Sequence, residues 1–328
     1  MRILRGALII SVTVLFVLSA LLCYKYLAQK DMKQSGRIVV VLKDYKNPSE
    51  FWKVVKAGID TAAKEYNVKV EYTGADSESN IEGQIKILNE VCESKPEAII
   101  LAASDYCLLV PMLERIDKAG IRVINIDSRV NSNIPKCFIS TDNLDAGRKA
   151  GKKLSDIVDM NSKLAIISYV KGSTTAIERE HGVLEYLNRY RQGKVVGTFF
   201  CDNNQSMAYK IVMNLMSEHP DIGGIACLNE NSTVGATKAL TDLGLGGKVK
   251  LVGFDSSFDE IKYLEKGLIQ ATVVQKPFNM GYLGLKTAVQ SRNGNNVVKR
   301  IDTGSVLVTK DTMHTEENQK LLFPFVEK

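Results

Sequence analysis

From residue 38 onward, short apolar runs alternate with longer segments of helical periodicity. In the helix predicted after Asn80, the apolar residues Ile81, Ile85, Leu88 and Cys92 recur at helical spacing. The first half predicts strands at 38–42, 68–72, 98–101, 123–126 and 138–140, with helices at 50–66, 80–93 and 108–119. Strands that alternate with helices predict parallel sheets with right-handed crossovers.

The second half repeats this scheme. Gly120 and Gly244 are predicted to end helices, since glycine is favoured just past a helix C-terminus. The predicted strands are 164–168, 195–200, 224–227, 249–254 and 270–274, and the predicted helices are 146–158, 176–190, 206–219, 232–243, 257–266 and 278–291. Two halves of about five strands each predict an α/β fold of two doubly wound parallel-sheet lobes.

The lobes are predicted to be joined by a multi-stranded hinge. No long linker separates the halves, and the break near Thr141-Asp142 is tight. The last predicted helix comes after the second half is complete, so we expect the chain to cross between the lobes more than once. The expected units are a membrane or signal segment at 1–24, a tether at 25–36, a first lobe at 37–141 and 276–303, and a second lobe at 142–275 and 304–328.

The N-terminus predicts export from the cytoplasm. Arg2 and Arg5 precede an unbroken apolar run over 6–22, and Lys25 follows it. About 17–25 apolar residues span a bilayer, and flanking arginines keep the N-terminus inside. We therefore expect the remaining chain on the extracytoplasmic face of a bacterial membrane. An uncleaved transmembrane anchor is favoured, with a cleaved signal peptide and a lipidated Cys23 as alternatives.

Composition excludes several classes of function. The chain has 328 residues, 45% hydrophobic and 24% charged, and its net charge of +6 is spread along the sequence. We find no basic block that indicates a nucleic-acid partner. Three scattered histidines indicate no metal site, and no motif indicates a cofactor or a catalytic nucleophile. Six cysteines occur; the five after the predicted anchor stand mostly in apolar contexts, which predicts free, buried thiols.

Two short stretches, one in each half, have a similar sequence pattern. Residues 123–128 and 251–256 each read as a buried strand that ends on an Asp-Ser pair. In an open parallel sheet, ligands bind just beyond the carboxyl ends of the strands. Asp127 and Asp255 therefore indicate a polar ligand held between two lobes.

The other strand ends and adjoining helix starts carry the side chains that a sugar site needs. Carboxylates and amides pair with hydroxyls, an arginine donates, and an aromatic ring covers a C–H face. Turn, cap, ion-pair or core roles are alternatives for each residue taken alone. The candidate residues are Asn47, Phe51, Trp52, Asp127, Arg129, Arg179, Asn203, Asn204, Asn229, Asp255 and Gln275.

The order of these residues resembles the type I periplasmic sugar-binding proteins, close to the ribose-binding kind, over about residues 37–310. The matching segments are Asn47-Pro48 with Phe51-Trp52 and Lys56-Ala57-Gly58, 123–127, Thr141-Asp142-Asn143 with Gly147, 172–175 with Arg179, 214–216 with 219–221, 228–230, 252–255 and 271–275. The resemblance implies that Asp127 and Arg179 form hydrogen bonds with adjacent sugar hydroxyls. It also implies that Asn229, Asp255 and Gln275 bind the remaining hydroxyls and that Phe51 or Trp52 stacks on the sugar.

The chain departs from this family pattern at several positions. Two extra residues near Ser49 separate Asn47-Pro48 from Phe51, and Ser128 separates Asp127 from Arg129. Asn203 stands where the family often has an aromatic residue, and Lys43 replaces a small polar residue at the end of the first strand.

The resemblance implies a monomeric solute-binding protein, not an enzyme, that delivers a monosaccharide to the permease subunits of an ABC importer. A membrane-anchored sugar sensor that signals to a histidine kinase or chemoreceptor is the alternative, because a permanent anchor suits such a role. A sugar-responsive repressor is disfavoured, since an apolar run occupies the place of a helix-turn-helix. The sequence leaves the identity of the sugar open.

Overall fold

A computed structural model describes Ser19 and residues 36–46, 48–191 and 194–323. Except for Ser19 and Gly36, the segments predicted as anchor and tether lie outside the described residues, as does Asn47. Within the described part of the chain, no helix is both long enough and apolar enough to span a bilayer.

The described residues form twelve strands, most of which follow the predicted apolar runs. They are β1 (Ile38–Leu42), β2 (Val70–Gly74), β3 (Ala98–Leu101), β4 (Arg122–Ile126), β5 (Cys137–Ser140), β6 (Lys163–Ser168), β7 (Val195–Phe200), β8 (Ile222–Cys227), β9 (Lys250–Phe254), β10 (Ala271–Gln275), β11 (Arg300–Asp302) and β12 (Ser305–Val308). The last two strands were not predicted.

Ten helices connect and cover these strands in the described chain. Gly120 and Gly244 follow helices with φ of +75° and +69°, a backbone region that glycine enters without strain, which confirms the prediction made for them. The helices are α1 (Glu50–Glu65), α2 (Ile81–Glu93), α3 (Val110–Lys118), α4 (Asn143–Ile157), α5 (Thr174–Tyr190), α6 (Gln205–Glu218), α7 (Glu230–Asp242), α8 (Phe258–Glu265), α9 (Pro277–Arg292) and α10 (Glu316–Leu322).

The strands form two six-stranded sheets, and each sheet is the centre of one lobe. The first sheet has the order β11-β5-β4-β3-β1-β2 and the second β12-β10-β9-β8-β6-β7. All pairs are parallel except β10 with β12. The predicted pair of doubly wound α/β lobes is confirmed, with six strands in each sheet.

The chain passes between the two sheets three times. It leaves the first sheet after β5 and enters α4, returns from β10 into α9, and crosses again between β11 and β12. Helix α9 packs on α1 and β4, whereas α4 packs on α5 and β9. Each lobe is thus built from two separate stretches of sequence.

Apolar layers cover the sheet faces. In β1, Val40 packs with Trp52 and Ile59 in one cluster, while Val39 packs with Leu88 on the other face. The second sheet is enclosed in a single larger cluster. Four of the five free cysteines in the described chain are buried, as the sequence predicted, and Cys107 is exposed.

Candidate functional site

A narrow cavity lies between the carboxyl ends of the two sheets. Its volume of about 30 Å³ leaves room for little more than a water molecule. The residues around it follow β1, β2 and β4 in the first lobe and β6 to β10 in the second. The lining side chains belong to Lys43, Ser49, Phe51, Trp52, Glu78, Asp127, Tyr169, Thr175, Arg179, Asn203, Asn229, Glu230, Asn231, Asp255 and Gln275.

Asp127 and Asp255 occupy equivalent places in the two lobes. Each follows the last residue of its strand, and its backbone N–H donates to a neighbouring strand, to Ile139 O at 2.9 Å and to Val273 O at 3.0 Å. Both are buried, and both have positive φ, 59° and 77°. Aspartate and asparagine adopt this backbone more readily than other side chains, so the turn itself favours these residue types.

Lys43 is the cation that faces Asp127. Its Nζ lies 2.7 Å from Asp127 Oδ2 and donates to Ser173 Oγ of the second lobe at 3.2 Å. The lysine is only 1% exposed. A buried ammonium needs a charged partner and hydrogen bonds, and Lys43 has both within the cavity.

Trp52 and Glu78 form a second buried polar pair in the first lobe. Trp52 Nε1 donates to Glu78 Oε1 at 2.9 Å, while the indole is also part of the core. Burial raises the pKa of the Glu78 carboxyl, and the Lys43 charge works against this rise. The Phe51 ring meets Trp52 edge to face at 4.9 Å between centroids, so Phe51 supplies the more accessible aromatic surface.

Arg179 is held rigidly in the second lobe. Its Nε donates to Asn143 Oδ1 at 2.9 Å and one terminal nitrogen donates to Leu228 O at 2.8 Å. The guanidinium stands 4.6 Å from the centroid of the Phe254 ring. Gly147 lets α4 reach the backbone of Arg179, because a Cβ there would overlap the Arg179 carbonyl oxygen. The alternative of a surface ion pair does not describe this buried arginine.

The Asp255 carboxylate is oriented by groups of its own lobe. Oδ1 accepts from Gln275 Nε2 at 2.7 Å, and Oδ2 accepts from the Glu230 backbone N–H at 3.1 Å. Burial raises the pKa of Asp255, and the charge of Arg179 opposes the shift. Gln275 Oε1 is buried and accepts no hydrogen bond within the described chain. This acceptor is available to a ligand hydroxyl.

Glu230 joins the two lobes at the start of α7. Burial raises its pKa to about 7, and the nearby carboxylates of Asp255 and Glu50 add to the shift. The backbone N–H groups of Phe51 and Glu50, at the start of α1, act in the opposite direction. Ser49 is the N-cap residue of α1 but makes no capping bond with its side chain. The carboxylate of the second lobe therefore lies where it can stabilise the helix N-terminus of the first.

Arg129 lies outside the cavity, on the rim where the lobes meet. Its guanidinium is 3.3 Å from Glu178 Oε1, and its backbone N–H donates to Thr174 Oγ1 at 3.0 Å. The Tyr106 N–H donates to Gly172 O at 2.9 Å across the same rim. We call Tyr106, Arg129, Gly172, Thr174 and Glu178 the rim clasp. These bonds can form only while the lobes are closed.

Eight of the eleven candidate site residues line the cavity, namely Phe51, Trp52, Asp127, Arg179, Asn203, Asn229, Asp255 and Gln275. Arg129 does not, and Asn47 lies outside the described residues. Asn204, also considered, caps α6 through Met207 N. The lining residues Glu78, Tyr169, Thr175, Glu230 and Asn231 were not among the candidates, although Thr175 and Glu230 lie in segments that match the family pattern. Among the described residues, no cluster of His, Cys, Asp and Glu is suited to hold a metal ion.

A larger and mainly apolar groove of about 910 Å³ lies beside the hinge. Phe258, Phe278 and Phe323 are among the residues that line it. Glu230, Asp255 and Gln275 line both spaces. Lys43, Asp127 and Arg179 line only the narrow cavity, so the narrow cavity is the better candidate for specific recognition of a polar ligand.

Comparison with known proteins identifies the architecture. Residues 38–296 match the model of the periplasmic binding protein domain family. The chain is 29% identical over 292 residues to the D-allose-binding periplasmic protein of Escherichia coli, covering 84% of this chain and 93% of that protein. A sugar transporter from Clostridium phytofermentans is 37% identical, with a TM-score of 0.79 and coverage of 85% and 100%. A carbohydrate transporter solute-binding protein from Agrobacterium radiobacter, solved with D-arabinose, is 32% identical, with a TM-score of 0.84 and coverage of 88% and 98%.

Proposed function

The chain belongs to the periplasmic binding protein family, and we propose that it captures a monosaccharide between its lobes outside the cytoplasm and delivers it to an ABC sugar importer. Members of this family bind solutes and do not catalyse reactions, and the relatives include a D-allose-binding periplasmic protein and a ribose import binding protein. The resemblance noted in the sequence is thereby confirmed.

The convergence of Asp127 and Asp255 on one cavity carries the proposal. The two carboxylates come from different lobes, and Arg179 and Lys43 line the same cavity as donors. Alternating acceptors and donors suit the hydroxyls of a neutral polyol, each of which can both donate and accept. We propose Phe51 as the aromatic surface for a sugar C–H face. Trp52, which contacts the Phe51 ring and donates to Glu78, would hold that ring in place.

Ligand entry requires the lobes to separate. A cavity of about 30 Å³ cannot admit a monosaccharide, and the rim clasp closes one side of it. Rotation about the three connections between the sheets would open the cleft, as in other hinged proteins that close around ligands. The closed form then offers the importer a surface that depends on the bound ligand.

The finer points of location and assembly belong to the same proposal. We propose that residues 6–22 anchor the chain in the membrane and that the protein acts as a monomer. The alternative role as a sensor finds no support, because the similar proteins are binding components of import systems.

A sugar panel tests the proposal. Purified full-length protein is melted with and without pentoses and hexoses, and hits are titrated by calorimetry. We expect at least one monosaccharide to raise the melting temperature, since a ligand of the folded state stabilises it by mass action. Asp127→Asn should abolish this shift, whereas Asp202→Asn should not, because Asp202 has positive φ of 49° but is exposed and outside the cavity. A flat response of the unmodified protein to every sugar would refute the proposal.

A further inference from the structure

The second lobe presents an amide wall to the cavity. Asn229 Nδ2 donates to Asn203 Oδ1 at 2.6 Å, and Asn231 Nδ2 donates to Asn203 Oδ1 at 2.8 Å and to Asn203 O at 2.9 Å. All three asparagines line the cavity. Asn203 itself has a φ of 58°, a conformation that asparagine tolerates better than aromatic residues.

The orientation of each amide in this wall is fixed by its neighbours. Asn229 Oδ1 accepts from Ser232 N at 3.0 Å as the cap of α7, so its nitrogen must face Asn203. The Asn203 backbone carbonyl can only accept and lies 2.9 Å from Asn231 Nδ2, so the Asn231 nitrogen must also face Asn203, and Asn231 Oδ1 accepts from Gln205 Nε2 at 3.0 Å. Two donors therefore converge on Asn203 Oδ1, and a flipped Asn203 amide would set three NH₂ groups against each other.

This chain of bonds leaves one group unused. The Asn203 NH₂ donates no hydrogen bond within the described residues, although the residue lines the cavity. An amide nitrogen has two hydrogens to place and cannot accept. A flat C–H face of a sugar ring offers it nothing, so the wall favours a ligand with an oxygen on that side.

Resting on the proposed function, we propose that Asn203 is a specificity residue that donates to an axial hydroxyl of the bound monosaccharide. Phe51 belongs to the first lobe and Asn203 to the second, and both line the same cavity. A ring that lays one face on Phe51 turns its other face toward the second lobe. Equatorial hydroxyls lie near the plane of the ring, and only an axial one projects toward this wall.

The same wall distinguishes sugar stereochemistry by leaving a donor unpaired. A ligand with all its hydroxyls equatorial would cover the Asn203 NH₂ without accepting from it. An enclosed donor without a partner weakens binding, which is how a polar site rejects an analogue that lacks one hydroxyl. Asn203 therefore favours sugars that place an axial hydroxyl against the amide wall.

Calorimetry with epimer pairs tests the role of Asn203. D-Glucose is compared with its epimers D-allose, D-galactose and D-mannose, and D-xylose with D-ribose, using purified full-length protein. We expect the tightest ligand to carry an axial hydroxyl and to bind at least tenfold more tightly than its all-equatorial epimer. Asn203→Gly, which tolerates the left-handed backbone, should reduce this ratio to about threefold or less.

Two further variants separate the hydrogen bond from the fold. Asp202→Gly alters the adjacent left-handed residue, which is exposed, and should leave the epimer ratio unchanged. Asn203→Asp keeps the acceptors for Asn229 and Asn231 and should retain most of the ratio, because a hydroxyl can reverse and donate to a carboxylate. An all-equatorial sugar as the best ligand, an unchanged ratio in Asn203→Gly, or a lost ratio in Asn203→Asp would overturn the inference. Absence of any sugar binding by the unmodified protein would instead refute the proposed function.

Discussion

Lys43 Nζ and Asp127 Oδ2 lie 2.7 Å apart, with the side chains only 2% and 6% exposed. Lys43 directly follows β1 and Asp127 directly follows β4, so the parallel sheet brings them to the same edge. In the closed protein, Lys43 Nζ thus holds both the Asp127 carboxylate of its own lobe and the Ser173 hydroxyl of the other.

Removal of the lysine should destabilise the protein strongly. Lys43→Met leaves the Asp127 carboxylate buried without its cation, and breaking one side of a buried pair costs about 3–5 kcal/mol. The free energy of unfolding in urea measures this loss. The double variant Lys43→Met with Asp127→Asn should recover more than half of it, because neither residue is then charged. Additive losses in the double variant would show that the pair contributes nothing to stability.

Asp255→Asn should weaken sugar binding by about 2–4 kcal/mol, because it removes a charged acceptor enclosed with the ligand. Asparagine suits this test better than alanine, since φ at this position is 77° and alanine would add backbone strain. The introduced amide would keep its oxygen for the Glu230 N–H, and Gln275 can turn its own amide so that Oε1 accepts from the new NH₂. The melting temperature without sugar should therefore change little. Calorimetry measures the affinity, and wild-type affinity in the variant would place Asp255 outside the binding site.

The two arginines predicted from the sequence should differ sharply. Arg179→Ala removes a buried guanidinium from the cavity and should reduce sugar affinity at least a hundredfold. Arg129→Ala removes a half-exposed ion pair of the rim clasp, and such pairs contribute about 1 kcal/mol or less. Its effect should therefore stay within about fivefold and appear mainly as faster release in stopped-flow experiments. Equal losses in both variants would contradict this division of roles.

Glu230 should make stability depend on pH. Its pKa is raised from 4.5 to about 7 in the folded protein, so the folded state holds a proton that the unfolded state has lost between these values. The contribution of Glu230 to the free energy of unfolding is therefore most favourable below pH 4.5 and falls as the pH rises toward 7. The groups that act on Glu230 include Asp255, Glu50 and Glu260, each of which it repels, and Lys53.

Glu230→Gln removes this titration and retains an acceptor for the backbone of α1. Its melting temperature relative to the unmodified protein should rise between about pH 5 and pH 7.5, which differential scanning fluorimetry measures. The comparison between the two proteins cancels the contribution of carboxyls that do not interact with Glu230. Parallel melting curves across this range would show that Glu230 is not protonated in the folded protein.

The periodicity of the chain was sufficient to predict the core elements of both sheets. It missed β11, β12 and α10, for reasons visible in their burial. Arg300–Asp302 has three half-exposed or exposed residues, and the edge strand Ser305–Val308 is mostly half-buried. Strands this short carry no clear alternation of apolar and polar residues. Their pairing depends on the sheet edges already being formed.

For the candidate site, sequence reasoning found residues that directly follow central strands, such as Asp127 and Asp255. It did not find Glu78, which follows an edge strand in a polar loop. The role of Glu78 depends on the hydrogen bond that it accepts from the Trp52 indole. Arg129 stands two residues after Asp127, and its direction is set by Glu178 of the other lobe. Such relationships arise only when the two lobes are brought together, so local patterns cannot show them.

The three passages of the chain between the sheets have a mechanical consequence. A single connection would allow the lobes to rotate about several axes and to slide past each other. Three short connections restrict the relative motion of the lobes. Sliding motions would stretch at least one link, so opening is confined largely to one swing. Each opening and closing therefore returns the acids of the two lobes to the same alignment, and selectivity set by atomic positions survives repeated cycles of capture and release.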